Sequence, residues 1–273
     1  MEKILRSRYE IEQRLVVHEN GSHCAKYQGL CLKSAFQAIV DVNGNPFGYE
    51  ALLRVHDSTG APVDTALLFN DYQKQLHHLI NLDRLARVIH LRNFSQFLST
   101  SYLFINMSPI TIIDGESQSL TSQLLLPRIK ELGLQPEKIY VEILEHFYHD
   151  NEKLVRAIDI LRNCGLRIAV DDFGVQGSSE QRTRAIRPNI IKIDKSLLDT
   201  YIQGDSKPIF DAITVARDLK ASVLIEGIEN KAAYQAARML GADYYQGYYT
   251  GRPQLIASIV DPYKKGNEYL RTV

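Results

Sequence analysis

The stretch YEALLRV, residues 49–55, combines an apolar run with two charges at a fixed spacing. Alternate residues of a β-strand point to the same side, so Glu50, Leu52 and Arg54 are predicted to share one face. On such a face, the carboxylate could bind a metal ion and the guanidinium could bind a phosphate, with an apolar side chain between them. A half-buried strand with a surface ion pair has the same pattern, and a motif this short does not decide between the two.

The rest of the chain repeats an order of strand and helix around this stretch. The turn sequence NGNP at residues 43–46 joins it to an apolar run at 36–42, which predicts an antiparallel hairpin. Six more apolar runs alternate with helical tracts, at residues 102–106, 138–144, 166–173, 190–193, 223–225 and 244–248. Apolar strands that alternate with helices indicate a parallel sheet covered on both faces. Eight such strands in 273 residues favour an α/β fold, a TIM-like (β/α)8 barrel with an antiparallel first strand.

We expect three segments along the chain. Residues 1–17 have the charge pattern of a short amphipathic helix and 18–29 are polar, so 1–29 is predicted to be an N-terminal helix and loop extension. Residues 30–258 would form the barrel, with 259–273 as a C-terminal tail. The helices between the strands are predicted at residues 65–93, 120–132, 151–164, 179–187, 208–220 and 231–240.

The composition excludes several classes of protein. The 32 basic and 32 acidic residues balance, whereas a sequence-independent nucleic-acid binder needs a basic excess. Three cysteines in no metal-ligand spacing are expected to be free thiols in a reducing compartment. The N-terminal residues lack the apolar core of a signal peptide, and no apolar run approaches the length of a membrane span. We therefore expect a cytoplasmic protein that binds neither a membrane nor a specific nucleic-acid sequence.

Polar side chains recur near the ends of the predicted strands. The set consists of Glu50, Asn106, Glu142, Asp171, Asp172, Lys192, Glu226 and Gln246. In a barrel the carboxyl ends of the strands form one mouth, where active sites lie. Converging carboxylates repel one another and lose hydration, and a divalent cation removes that cost. Oxygen ligands without Cys or His favour Mg²⁺, Mn²⁺ or Ca²⁺ over zinc, and two ions bridged by one of the adjacent aspartates suit hydrolysis of a phosphodiester.

Each motif taken alone also has an ordinary structural explanation. The segment DDFG at 171–174 could be a strand-to-loop turn, and Glu142 with Glu145 could mark a helix start with favourable dipole pairing. The segment EGIE at 226–229 could be another acidic helix start. The segment NMSP at 106–109 could cap a helix and place its proline in the first turn.

Taken together and in this order, the motifs resemble the EAL domain family, bacterial phosphodiesterases that linearise cyclic di-GMP. The resemblance spans about residues 30–255. Its landmarks are FQAIV at 36–40, GYEALLR at 48–54, NMSP at 106–109, Glu142 with Glu145, DDFG at 171–174, KID at 192–194, EGIE at 226–229, QGY at 246–248 and RP at 252–253. Ala38 stands where the family usually has proline.

The resemblance implies a role for each of these residues. The ligands of two Mg²⁺ or Mn²⁺ ions, with Ca²⁺ as an inhibitor, would be Glu50, Asn106, Glu142 and Asp171 for one ion and Asp171, Asp172 and Glu226 for the other. Glu226 would act as the general base or position the water, Lys192 would hold that water or stabilise charge on the phosphate, and Glu50 completes the catalytic set. The residues expected to contact the dinucleotide are Gln37, Leu52, Arg54, Pro109, Asp194, Gln246 and Gly247. Glu145 would anchor the loop after Asp172, and Glu229 would support the site from behind.

The loop after DDFG departs from the family pattern. Members usually continue with TGYSS, whereas this chain has VQGSS at 175–179. In the family this loop couples metal binding and dimerisation to activity, so we expect the change to affect turnover and regulation and not the fold. A homodimer contact through this loop and the helix after it is left open.

The predicted function is hydrolysis of cyclic di-GMP to linear pGpG by a two-metal phosphodiesterase. The alternative is a low-activity EAL domain that acts as a cyclic di-GMP receptor or a protein-binding regulator, which the changed loop favours. Degenerate members usually lose the signature glutamate or one aspartate, and this chain keeps Glu50, Asp171 and Asp172. A metal-dependent phosphodiesterase with another substrate is a third alternative, against which Arg54 and the family pattern argue.

Overall fold

A closed barrel carries a smaller antiparallel sheet at its rim. The computed structural model describes residues 3–72, 75–113, 125–144, 150–175, 180–256 and 258. Its strands are β1 (Leu15–Val17), β2 (His23–Tyr27), β3 (Leu30–Asp41), β4 (Pro46–His56), β5 (Pro62–Val63), β6 (Tyr102–Met107), β7 (Ile139–Leu144), β8 (Arg167–Phe173), β9 (Ile190–Ile193), β10 (Ser222–Ile225), β11 (Tyr244–Tyr245) and β12 (Gln254–Leu255).

Eight of these strands form the barrel. They follow one another in the order β3, β11, β10, β9, β8, β7, β6 and β4, and the pairing of β4 with β3 closes the ring. β3 is antiparallel to both of its neighbours, whereas the other adjacent pairs in the ring are parallel. The predicted TIM-like barrel with an antiparallel first strand is therefore confirmed.

Helices cover the outside of the barrel. They are α1 (Arg8–Glu12), α2 (Thr65–Tyr72), α3 (Leu76–Phe97), α4 (Pro109–Ile113), α5 (Leu126–Glu131), α6 (Asn151–Asn163), α7 (Glu180–Ile186), α8 (Lys195–Ile202), α9 (Lys207–Asp218) and α10 (Lys231–Met239). The last four predicted tracts are confirmed as α6, α7, α9 and α10. The single tract predicted at 65–93 is wrong, because α2 ends at Tyr72 and α3 starts at Leu76. Across the part of the chain that the structure describes, no helix is both long and apolar enough for a membrane span.

Two predicted segments lie partly or wholly beyond the described residues. Of the tract at 120–132, residues 120–124 are outside them and α5 covers most of the remainder. The predicted C-terminal tail, 259–273, also lies outside them. The sequence does not predict α8, which follows β9 directly and is capped by Asp194, whose side chain accepts a hydrogen bond from Ser196 N.

The inside of the barrel is apolar and aromatic at the end where the parallel strands begin. Phe47 stacks against Tyr102 and Tyr244, with ring centres 4.4 and 4.0 Å apart. The guanidinium of Arg167 lies 5.6 Å from the centre of the Tyr140 ring. These side chains fill the lower end of the barrel, so the polar residues predicted at the strand ends gather at the opposite mouth.

The N-terminal segment is more regular than predicted. The helix predicted at 1–17 is wrong in its extent, because α1 is only five residues long and Leu15–Val17 form β1. The helix begins with a capping box between Ser7 and Glu10. The predicted loop at 18–29 is wrong, because it contains β2, which forms a tight hairpin with β3 through Gln28 and Gly29. Both turn residues have positive φ, 50° and 76°, as a two-residue hairpin turn of this kind requires.

β3 and β4 continue past the rim of the barrel. β4 pairs with β6 only as far as Ala51, but its pairing with β3 continues to His56, which lies opposite Cys31. The prediction that Glu50 marks a strand end is wrong for this reason, since β4 runs six residues beyond it. Two long antiparallel strands therefore project over the mouth.

Candidate active site

Lys192 lies at the centre of the barrel mouth among carboxylates. Its ammonium nitrogen is 2.6 Å from Glu142 Oε1 and 2.7 Å from Asp171 Oδ1. The same nitrogen is 2.7 Å from Glu226 Oε1 and 3.6 Å from Glu50 Oε2. The Lys192 side chain is 1% exposed, so these contacts are shielded from water. Five residues predicted from separate strands therefore meet at one point.

Burial and crowding shift the protonation of this group. Burial, followed by the charge of Glu50, raises the pKa of Glu142 well above its ordinary value, although Lys192 opposes the shift. Burial raises the pKa of Glu226 in the same way. Burial alone would lower the pKa of Lys192, but the surrounding carboxylates outweigh it and raise that pKa well above its ordinary value. The ammonium is therefore held in its charged form, while the acids around it repel one another.

A bulge in β8 lets two adjacent aspartates serve the same site. Neighbouring residues of a regular strand point to opposite faces. Val170 pairs with Ile191 and Phe173 with Ile193, so β8 has one more residue than β9 over this interval. Asp172 has φ of 53°, a left-handed conformation that Asp tolerates better than most residues. Oxygens of both aspartates consequently come within 4.8 Å of each other and of a Glu226 oxygen.

Glu50 is fixed by two side-chain amides. Asn106 Nδ2 donates to Glu50 Oε1 at 3.2 Å, and Gln246 Nε2 donates to Glu50 Oε2 at 2.7 Å. Three residues predicted from β4, β6 and the end of β11 are thus in direct contact. The carboxylate is buried, and both of its oxygens are oriented by the amides.

The donor set fits divalent cations. Among the described residues, the buried Glu142 Oε2 and Gln246 Oε1 accept no hydrogen bond, which leaves oxygen lone pairs for another partner. The carboxylates of Glu50, Glu142, Asp171, Asp172 and Glu226 outnumber the single ammonium of Lys192. If all are ionised, four negative charges remain, which two divalent cations would balance. Oxygen donors of this kind suit Mg²⁺, Mn²⁺ or Ca²⁺.

A cleft of about 320 Å³ opens beside the cluster. Its walls include four residues predicted for substrate binding, which are Gln37, Asp194, Gln246 and Gly247. Glu229 lies on the wall, paired with Lys195 at 2.7 Å, so it borders the cleft instead of lying behind the site. A Cβ at Gly247 would come 2.1 Å from the Ile228 carbonyl oxygen, so only glycine fits there.

Sequence reasoning missed some of this wall. Lys195, Gly227 and Tyr248 also line the cleft. Lys195 follows the KID motif by one residue and is the first residue of α8, so its position depends on a helix that the sequence does not predict. The Arg252 guanidinium lies 4.4 Å from the centre of the Tyr248 ring, which holds that ring at the cleft edge.

Some predicted residues lie outside the cleft wall. Leu52 and Arg54 follow Glu50 on β4, where the strand leaves the barrel, and Pro109 is buried as the first residue of α4. Glu145 and residues 176–179 lie outside the described residues, so the loop anchor and the dimer contact remain predictions.

Comparisons with known proteins identify the family of this chain. The EAL domain family model matches residues 28–253. The probable cyclic di-GMP phosphodiesterase PdeI of Escherichia coli is 28% identical over 89% of this chain and 31% of its own length. The oxygen sensor protein DosP of the same species is 28% identical over 81% of this chain and 28% of its own length. The chain thus spans less than a third of these relatives.

Solved structures show the same barrel. The YkuI protein of Bacillus subtilis, which has an EAL domain and was solved with c-di-GMP and calcium, gives a TM-score of 0.70 at 27% identity over 82% of this chain and 55% of that one. An EAL domain protein from Listeria monocytogenes gives a TM-score of 0.73 at 24% identity over 85% and 92% of the two chains. The motifs occur in the order of the family and meet at the barrel mouth, and the family model covers most of the sequence. This chain belongs to the EAL domain family.

Proposed function

We propose that this barrel is a metal-dependent phosphodiesterase that hydrolyses cyclic di-GMP to linear pGpG. The observation that carries the proposal is the excess of buried carboxylates around Lys192, with the paired aspartates of the β8 bulge beside it. The names of PdeI and of the YkuI complex support cyclic di-GMP as the substrate.

Two Mg²⁺ or Mn²⁺ ions would be held by this chain's own oxygens. The ligands would be Glu50, Asn106, Glu142, Asp171, Asp172 and Glu226. When bound, such ions polarise the scissile phosphate and lower the pKa of a water ligand. Ca²⁺ would bind the same oxygens but inhibit, because it prefers longer and more flexible coordination.

The protein residues would orient the reacting groups. Glu226 borders both the cluster and the cleft, which suits it to accept the proton of the attacking water. Lys192 keeps Glu142, Asp171 and Glu226 in fixed positions. Gln246 and Asn106 orient Glu50 from two sides. Gln37 and Asp194 lie on the cleft wall, where the dinucleotide would contact them.

A second candidate function is a cyclic di-GMP receptor, or a regulator that binds another protein, with little turnover. The sequence VQGSS at 175–179, in place of the usual TGYSS, favours it. The enzyme and the receptor share the ligand site and differ in catalysis, so a turnover assay separates them, and a binding measurement separates both from a protein-binding regulator.

The test is incubation of the purified protein with cyclic di-GMP and Mn²⁺, followed by chromatography of the nucleotides. We expect linear pGpG to form, EDTA to stop its formation, and Mg²⁺ or Mn²⁺ to restore it. Glu50→Gln serves as the matched control, because it keeps the shape of the side chain but removes its charge. Turnover that survives chelation would contradict the two-metal mechanism.

If no pGpG forms, the binding of cyclic di-GMP decides which of the other functions applies. Binding of cyclic di-GMP measured in Ca²⁺ without turnover would identify a receptor. Absence of both turnover and binding would reject cyclic di-GMP as the ligand and favour the role of a protein-binding regulator.

A further inference from the structure

Where α3 packs against β6 and α4, it carries a buried ion pair. Arg87 Nη2 lies 2.9 Å from Asp83 Oδ2, one helical turn away, and the two side chains are 10% and 7% exposed. Burying two charges costs free energy, and an apolar pair of similar volume is often as stable or more stable. Stability is therefore a weak explanation for this pair.

The other oxygen of Asp83 contacts the turn that follows β6. Ser108 N donates to Asp83 Oδ1 at 3.4 Å, a long hydrogen bond to a charged acceptor. Ser108 is the first residue after β6, and Pro109 begins α4. The Ser108 carbonyl oxygen accepts hydrogen bonds from Thr111 N and Thr111 Oγ1. The turn is thus held by α3 through its N–H and by α4 through its carbonyl.

This turn comes directly after a side chain of the candidate active site. Asn106 precedes Ser108 by two residues, and its amide donates to Glu50 Oε1 at 3.2 Å. Met107, between them, ends β6 and is 0% exposed. Because packed interiors leave little room for adjustment, a displacement of Ser108 would be passed on to Asn106.

We propose that Asp83 is a positioning residue for the metal site of the barrel mouth. Its carboxylate holds Ser108 N and so fixes the direction of the Asn106 side chain, while Arg87 holds the carboxylate in place. The inference rests on the proposed function, in which Asn106 is a metal ligand. Asp83 is not among the described residues that line the cleft, so it acts through the backbone of the turn and not by contact with a substrate.

Two double variants separate the hydrogen-bond acceptor from the charges. Asp83→Asn with Arg87→Met removes both charges and keeps an oxygen that can accept from Ser108 N; we call it the acceptor variant. Asp83→Leu with Arg87→Met, the acceptor-free variant, removes that oxygen as well. Both are expected to fold, because neither leaves an unpaired buried charge.

Binding of Mn²⁺ is measured by calorimetry in the absence of nucleotide. We expect the acceptor variant to bind Mn²⁺ about as tightly as wild type. The acceptor-free variant should bind it about tenfold more weakly, the size of effect typical for loss of a group that orients a metal ligand. Lys207→Met with Asp211→Leu removes an exposed pair of the same spacing on α9 and should leave the affinity unchanged.

Thermal melting of the same samples distinguishes positioning from folding. A purely structural role would lower the melting temperature of the acceptor-free variant and leave the Mn²⁺ affinity of the folded protein as in wild type. That outcome would overturn the inference. Equally weakened Mn²⁺ binding in both double variants would also overturn it, because the charges and not the acceptor would then matter.

The turnover assay keeps this inference distinct from the proposed function. In the acceptor-free variant, half-maximal hydrolysis of cyclic di-GMP should require about tenfold more Mn²⁺ than in wild type. If wild type binds Mn²⁺ and forms no pGpG, the proposed function fails, and a tenfold difference in Mn²⁺ affinity between the two variants still supports the role of Asp83. Wild-type protein that binds no Mn²⁺ would overturn the inference.

Discussion

The junction between the N-terminal segment and α3 and the barrel mouth both bury polar side chains, but in different ways. At the junction, Asn81 accepts a hydrogen bond from Leu5 N at 2.7 Å and donates to the Lys3 carbonyl and the Tyr27 hydroxyl. At the mouth, Glu142 Oε2 receives no hydrogen bond from the described residues, and like charges face one another.

The difference separates a structural role from a functional one. A buried polar group whose hydrogen bonds are all made fixes one arrangement of the chain. Buried like charges reduce stability and are typical of sites that bind a further charged partner. Substitutions at the junction should therefore change mainly the stability, and substitutions at the mouth mainly the activity.

Glu50→Ala should give the largest effect on activity. We expect turnover of cyclic di-GMP to fall at least about a thousandfold, because Glu50, which two amides orient, is a proposed metal ligand. The melting temperature should stay equal or rise, since one of several repelling carboxylates is removed. Steady-state kinetics and thermal melting test both parts, and appreciable turnover in a well-folded variant would contradict the assigned site.

Lys192→Met tests the charge balance of the mouth. In EDTA we expect the free energy of unfolding to fall by about 3 kcal/mol, because the buried carboxylates lose their counter-charge. Mn²⁺ should restore part of this loss, since a divalent cation held by the same oxygens would replace the missing counter-charge. Denaturant unfolding with and without Mn²⁺ measures both values. Equal stability of variant and wild type in EDTA would mean that the acids at the mouth are already neutral.

Asn81→Ala tests the opposite region. The change leaves Leu5 N without its partner and should lower the free energy of unfolding by about 2 kcal/mol. The rate per folded molecule should not change, since Asn81 lies on α3, away from the cleft wall. Asn163→Ala, at an exposed position of α6, is the matched control. A specific loss of kcat in Asn81→Ala would show that the two regions are coupled.

His90, a buried junction residue that shares a hydrogen bond with Ser34, predicts a pH effect. Burial, followed by the charge of Arg54, lowers the pKa of His90 to about 3. The unfolded chain binds this proton near pH 6.5, so stability should fall as the pH drops from about 6.5 toward 3, by about 1.4 kcal/mol per pH unit. His90→Gln should reduce that slope, as measured by denaturant unfolding at several pH values. The same slope in both proteins would contradict a neutral buried His90.

Many strands and helices of the barrel can be predicted from the sequence, because the residue patterns that indicate them lie within each segment. Apolar runs and the glycines and caps that end the helices predict the parallel strands β6 to β10 and four helices close to their observed bounds. The strand predicted at 244–248 is shorter in the structure, because β11 ends at Tyr245. The N-terminal segment is different, because β2 is held by its pairing with β1 on one side and β3 on the other. Its alternation of charged and apolar residues fits a helix or an edge strand, and long-range contacts decide between them.

The sequence predicts which residues form the candidate site better than it predicts how their side chains are arranged. Spacing and family resemblance indicate Glu50, Glu142, Asp171 and Glu226, which the fold brings to Lys192. The wall formed by Lys195 and Glu229 depends on the start of α8 and on side-chain directions that no local pattern encodes. The strand that carries Glu50, in contrast, was predicted at residues 47–55, and β4 covers Pro46–His56.

Because β8 has one residue more than β9 at the bulge, a one-residue deletion there could disrupt the site even if every site residue is kept. Deletion of Val170 would return β8 to register with β9 and leave both aspartates in the sequence. In a regular strand, however, one of the two carboxylates would then point out of the mouth. A family member that keeps the two aspartates but lacks one residue before them would therefore lose the proposed second metal site. In an alignment, the gap and not a substitution would record that loss.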